Sequence, residues 1–164
     1  MYDVFLNFRG PDTRQGFTGY LQKALRDRGI VVFFDDKEIQ GGQIIQQALA
    51  EAIENSRIAI TVFSTNYASS SCCLDELAII LEYSKSKELL VLPVFYKVSP
   101  CEVRHQHGIY GEALVRLETR NHDKMENWKM ALREVSYHSG FSFKDGYPSL
   151  PIFVIFVGLN FTCH

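Results

Sequence analysis

Residues 2–8 carry apolar side chains at 2, 4, 5, 6 and 8, interrupted only by Asp3 and Asn7. So short and so apolar a run reads as a strand. Arg9-Gly10-Pro11 breaks it, and Asp12 with Gln15 three residues later has the spacing of a capping box opening a helix. Phe17, Leu21, Ala24 and Leu25 share one face of that helix, and Gly29 supplies a left-handed stop. The alternation then repeats. Residues 30–34 form a second apolar run ending at Asp35-Asp36, and residues 37–43 form a loop with Gly41-Gly42. Ile45, Ala48, Leu49, Ala52 and Ile53 line a second helix, and residues 57–63 are a third strand.

Ser69-Ser70-Ser71 follows, three hydroxyls able to cap a helix whose apolar positions are Leu74, Leu77, Ala78 and Leu81. A fourth strand covers 89–96, and Ser99-Pro100 makes a turn. A short helix is expected near 111–118. Another opens at Asp123, with Glu126 in the capping-box place, and buries Trp128, Ala131, Leu132 and Val135 before Gly140. Strand and helix thus alternate four times, and the strands are nearly all apolar, as in a parallel sheet covered on both faces. The expected fold is α/β, a flavodoxin-like three-layer sandwich with strand order 2-1-3-4-5. Ligands of such sheets sit beyond the carboxyl ends of the strands. Those ends bring Phe8-Arg9-Gly10, Asp35-Asp36, Ser64 and Tyr96 to one rim, within reach of Glu76.

Composition narrows the function classes. A chain of 164 residues is long enough for one domain with a core, and 46% hydrophobic against 22% charged residues fits a globular protein. A formal charge of −2 provides no global field toward nucleic acid or an anionic membrane. The cysteines at 72, 73, 101 and 163 form no C-x-x-C pair and read as free thiols. No basic n-region precedes Tyr2, so secretion is not expected. The glycine-rich phosphate loops G-x-G-x-x-G and G-x-x-x-x-G-K-[ST] are absent, as is the G-x-S-x-G elbow. A phospho-accepting receiver would end its third strand with an acid; this one ends Val62-Phe63-Ser64. His105 and His107 read as exposed loop histidines, and no metal site is expected.

Glu76 lies about 200° round its helix from Leu74 at roughly 100° per residue, so packing does not demand it. On the residues alone it reads as a solvated carboxylate that favours a helix N-terminus. Four motifs change that balance. Tyr2-Asp3-Val4-Phe5-Leu6-Asn7-Phe8-Arg9-Gly10-Pro11-Asp12-Thr13-Arg14 closely resembles the opening of plant TIR (Toll/interleukin-1 receptor) domains. So do Phe33-Phe34-Asp35-Asp36 with Gly42, Cys73-Leu74-Asp75-Glu76-Leu77, and Val91-Leu92-Pro93-Val94-Phe95-Tyr96.

The resemblance runs from Tyr2 to about Tyr147, so a TIR domain is expected over 1–147. It implies a signalling module of intracellular plant immune receptors that self-associates with other TIR domains. It also implies cleavage of NAD⁺, as substrate rather than cofactor, at the nicotinamide–ribose bond. Glu76 corresponds to the family's catalytic glutamate. By the same resemblance Arg9, Gly10, Pro11, Asp12, Thr13, Arg14 and Gly42 line the nucleotide site, and Phe8, Phe33 and Cys72 form pocket walls. On the residues alone, Arg9 reads equally as a surface ion pair and Gly42 as an ordinary turn. The implied location is the cytoplasm, extending to the nucleus.

Four positions depart from the family pattern. Cys72 stands where Trp is usual, and Gln40-Gly41 replaces a loop pair that usually includes a basic residue. Gly19-Tyr20 replaces the Ser-His pair of the self-association surface. Residues 148–164 replace a charged amphipathic helix with an apolar segment punctuated by Pro148, Pro151 and Gly158. That segment is shorter than the roughly 20 apolar residues of a membrane span. It does not read as an amphipathic helix either, and is expected to be a tail outside the core, as in a chain cut short or read through. The rival readings are a non-catalytic TIR–TIR interaction module and an inactive truncated TIR protein.

Overall fold

A computed structural model describes residues 1–34, 43–144 and 150–162. Its five strands are β1 (Tyr2–Asn7), β2 (Val32–Phe33), β3 (Ser56–Phe63), β4 (Leu90–Tyr96) and β5 (Phe141–Phe143). They form one parallel sheet in the order β2-β1-β3-β4-β5, the expected flavodoxin-like order. The helices are α1 (Gly10–Thr13), α2 (Phe17–Asp27), α3 (Gln43–Glu54), α4 (Ser71–Ser86), α5 (Pro100–His105), α6 (Gly108–Glu118), α7 (Met125–Ser136) and α8 (Leu150–Thr162).

Alternation along β1 splits the core in two, because successive side chains in a strand face opposite ways. Phe5 joins a cluster with Leu49, Ile53, Leu74, Leu77, Tyr110, Trp128 and Leu132, from α3, α4, α6 and α7. Val4 and Leu6 join a second cluster with Phe17, Leu21, Leu25, Phe153, Val154 and Val157, from α2 and α8. Helices therefore cover both faces, which is why the strands show almost no polar positions.

Several local expectations are corrected. Asp12 does not cap the first long helix: it lies inside α1, and α2 starts after Gly16 without a side-chain cap. Ser99-Pro100 is not merely a turn. Ser99 Oγ accepts from Cys101 N at 3.2 Å, and Pro100 begins α5, where its missing N–H costs no helical bond. Asp123 does not cap α7, which follows Lys124 without a side-chain cap. β5 has only three residues, too few for its pattern to stand out.

The largest correction concerns the end of the chain. The expected tail outside the core is the helix α8, and Leu150, Phe153, Val154 and Val157 are buried in the second cluster. Periodicity could not reveal it, because α8 is apolar all round. Its outer residues Ile152, Ile155, Phe156 and Leu159 are large hydrophobics left exposed. Pro151 falls in the first turn, where proline is tolerated. Among the described residues no helix is long and apolar enough to cross a membrane.

Candidate functional site

The rim beyond the strand ends is built from β1, β3 and the start of α4. Ser70 is the N-cap of α4, its Oγ accepting from Cys73 N at 3.2 Å, as the serine run suggests. Leu74 and Leu77 are fully buried and fix the rotation of α4. Asp75 and Glu76 consequently leave the helix on different sides. Asp75 accepts from Trp128 Nε1 at 3.0 Å and Lys124 Nζ at 3.2 Å, tying α4 to α7. Glu76 turns to the end of β1, where its Oε2 accepts from Asn7 Nδ2 at 2.8 Å.

Asn7 is completely buried. Its Nδ2 also reaches Cys73 O at 3.4 Å, while its Oδ1 accepts from the Tyr67 hydroxyl. Burial raises the Tyr67 phenol well above its usual range, and the neighbouring Cys73 and Glu76 push the same way. Cys73 donates its thiol to Phe8 O at 3.3 Å, and burial followed by the Glu76 charge drives that thiol upward too. Both groups stay neutral donors beneath the rim.

The loop after β1 is clamped by Asp12. Its carboxylate accepts from Ser64 Oγ at 2.6 Å and Asn66 N at 2.8 Å, and pairs with Arg9 Nη1 at 2.7 Å. Burial alone would raise this carboxyl; the hydrogen bonds from Ser64 and Asn66, with the Arg9 charge, outweigh it and hold the group below its ordinary value. These partners across to β3 explain why Asp12 is not a helix cap. Thr13 is buried with its hydroxyl 2.6 Å from that of Thr18. Asp12 and Thr13, two of the expected nucleotide-lining residues, thus direct their side chains into the fold, and Arg9 takes up the ion-pair reading.

Arg14 behaves differently. Its guanidinium lies 5.4 Å from the centroid of the Phe8 ring, whose other neighbour is Phe34 at 4.9 Å. A Cβ on Gly10 would come within 2.6 Å of that guanidinium, so the glycine admits the stack. Gly10, Pro11, Asp12, Arg14, Gln15 and Gly16 line an open cleft of about 660 Å³. Glu76 is not among the residues lining this cleft and meets the end of β1 through Asn7.

Phe8 therefore sits at the rim. Phe33 does not: it packs on Phe5 and Tyr2 with centroids 5.2 and 5.1 Å away, one register step inside the sheet, and the rim aromatic is Phe34. Cys72 is exposed beside the carboxylate helix start. Gly42, Gln40-Gly41 and Asp35-Asp36 lie outside the described residues. Gly19 and Tyr20 lie on α2, with Tyr20 56% exposed. Asn7 and Tyr67 went unrecognised as site residues. Asn7 carried a signal, since a polar residue inside an apolar strand must find buried partners.

Among the described residues no group of His, Cys, Asp or Glu could hold a metal ion. His105 and His107 have ring centroids 5.6 Å apart.

Comparison with known proteins places this geometry. The sequence model of the TIR domain matches residues 1–151. Disease resistance protein RUN1 of Vitis rotundifolia is 48% identical over 151 residues, which are 90% of this chain and 11% of that protein. TMV resistance protein N of Nicotiana glutinosa is 44% identical over 142 residues, 85% of this chain and 12% of that protein. The chain thus spans about an eighth or less of these curated relatives. The TIR domains of the activated Roq1 resistosome, which directly recognizes the pathogen effector XopQ, match with a TM-score of 0.84 and 42% identity. That match covers 98% of this chain and 99% of theirs. Family model, relatives and fold agree that this chain belongs to the TIR domain family.

Proposed function

We propose that this chain is a TIR-domain NAD⁺ hydrolase acting in plant defence signalling, in the cytoplasm or nucleus. The observation that carries the reading is the Glu76 carboxylate, held by Asn7 at the carboxyl end of β1. Cleaving the nicotinamide–ribose bond leaves positive charge on the ribose. A preorganised carboxylate stabilises that charge as it develops and orients the sugar hydroxyls. Nicotinamide leaves as a neutral group, so no general acid is required. The relatives' names, disease resistance protein and resistance protein, support the defence role. The Roq1 resistosome supports assembly with other TIR domains.

Nicotinamide release from NAD⁺ by concentrated protein tests the proposal. Glu76→Ala is expected to slow release on the order of a hundredfold to a thousandfold. Glu76→Gln keeps the size and should lose as much if charge is what matters. Cys72→Trp should raise the rate, because an aromatic wall excludes water beside the carboxylate. A folded Glu76→Ala variant as fast as the parent would overturn the enzyme reading. The exposed Cys72 favours the rival, a non-catalytic TIR interaction module. That reading prevails if neither the parent nor Cys72→Trp releases nicotinamide while assembly is intact.

A further inference from the structure

We propose that Asn7 is the positioning residue of Glu76, with the Tyr67 hydroxyl fixing the Asn7 amide so that its Nδ2 holds the carboxylate in one orientation at the rim. This rests on the reading of Glu76 as the catalytic group.

The hydrogen bonds admit only one arrangement. Glu76 Oε2 at 2.8 Å and Cys73 O at 3.4 Å are acceptors, so the amide must turn its NH₂ toward both. Flipped, it would set Oδ1 against a carboxylate and a carbonyl. The remaining side of the amide faces Tyr67, whose hydroxyl donates to Oδ1 and also lies 3.2 Å from Cys73 O. Asn7 and Tyr67 are both fully buried, so water does not compete for these bonds. Tyr67 is itself held edge-on to Phe63, centroids 5.1 Å apart, in the core cluster that includes Leu74 and Leu77. A rigid chain of contacts therefore runs from the core through Tyr67 and Asn7 to a partly buried carboxylate. In such a low-dielectric setting a chain of hydrogen bonds orders its members more firmly than the same bonds in water. Its burial keeps the phenol protonated, so it remains a donor across the pH range of an assay.

A purely structural Asn7, closing β1 onto α4 through Cys73 O, is the competing account. The two differ in what happens to Glu76. The test uses the full chain with Asn7→Leu, Asn7→Asp and Tyr67→Phe, each checked for fold by circular dichroism. It follows the pH dependence of nicotinamide release and the ¹³C titration of the Glu76 carboxyl, assigned with Glu76→Gln. For Asn7→Leu the expected loss in kcat is on the order of tenfold to a hundredfold, with KM nearly unchanged. The Glu76 titration and the acidic limb of the pH profile should move upward together as the N–H donor is lost. For Asn7→Asp they should move by about one pH unit or more, because a like charge faces the carboxylate. Tyr67→Phe should give a smaller shift in the same direction. If the two Asn7 variants do not fold, Tyr67→Phe, which removes one oxygen, carries the test with the same readouts.

Folded variants that leave the Glu76 titration and the pH limb where the parent has them would overturn the proposal. A parent that releases no nicotinamide overturns the catalytic reading instead. The carboxyl titration then still decides whether Asn7 holds Glu76.

Discussion

Asp12 shows how one side chain can bind a loop to a sheet. Its carboxylate takes a hydroxyl from Ser64, a backbone N–H from Asn66 and the Arg9 guanidinium. These contacts outweigh burial and depress its pKa in the folded state. A depressed carboxyl contributes stability that is fully present above the unfolded value of about 3.9 and lost as pH falls through the folded value. Denaturation midpoints measured from neutral pH down to about 2 should therefore fall steeply below about 4 in the parent. Asp12→Asn should be less stable at neutral pH and show a shallower acid limb. An identical acid limb in parent and variant would mean that other carboxyls, not Asp12, govern acid unfolding. The neighbouring aromatics make a related point about legibility. Phe33 and Phe34 are adjacent and chemically alike, and only the register Phe5↔Phe33 decides that Phe34 reaches the rim. No single-sequence pattern contains that register.

At the scale of elements, α8 reverses an expectation drawn from composition. On the second face, α8 shares the cover of β5 with Phe17 of α2, whose ring lies 4.8 Å from Phe143. Phe153 lies with its ring 4.7 Å from Phe141 and 6.2 Å from Phe143, and α8 also packs on α2. Fully burying a large apolar side chain contributes roughly 1.5–3 kcal/mol. Ordering the 13 residues of α8 offsets much of that gain, but removing the helix also uncovers Phe141 and Phe143. A chain ending at Tyr147 should melt more than about 10 °C lower, since about 1 kcal/mol moves the midpoint of a domain this size by about 2–4 °C. An unchanged melting point would show that α8 is dispensable. On α2, Gly19 presents two opposed effects. Helix propensity alone says Gly19→Ala should gain about 1 kcal/mol. Yet a Cβ there would lie 2.3 Å from the Arg14 carbonyl oxygen, a backbone atom that cannot swing away. Overpacking of that kind typically costs about 1–3 kcal/mol, so the clash should win and Gly19→Ala should be destabilising in urea. The close approach also argues against simply restoring Ser at this position to strengthen self-association. Strands and helices with a regular apolar period are readable from the sequence, as is the sheet order. What was not readable depends on partners distant in sequence: the short β5, the all-apolar α8, the Asp12 clamp, and Asn7 beneath Glu76.

Across the whole molecule, the rim that holds the Glu76 carboxylate conceals weak acids below it. Tyr67, Tyr110 and Cys73 are all buried in the cluster on the α4 side of the sheet. The Tyr110 hydroxyl donates to Ser64 O at 2.7 Å, so both tyrosines are bound as donors to the rim's framework. Burial is the leading cause that raises all three above their usual values, with nearby negative groups adding to it. An acid kept neutral by the fold has a raised folded value. Its contribution to stability is fully present below the unfolded value and is lost as pH rises toward the folded one. The unfolded values are about 8.5 for Cys and about 10 for Tyr, so the loss should begin with Cys73 and become steep once tyrosine ionisation is favoured in the unfolded chain. Ionisation of Tyr67 and Tyr110, read as a rise in tyrosinate absorbance, should coincide with loss of the circular dichroism signal. Tyr67→Phe should make the alkaline limb shallower while lowering stability at neutral pH, because Asn7 loses its donor. If every tyrosine titrates while the dichroism is unchanged, water reaches the groups beneath the rim. The dry scaffold that holds Asn7 against Glu76 would then have to be abandoned.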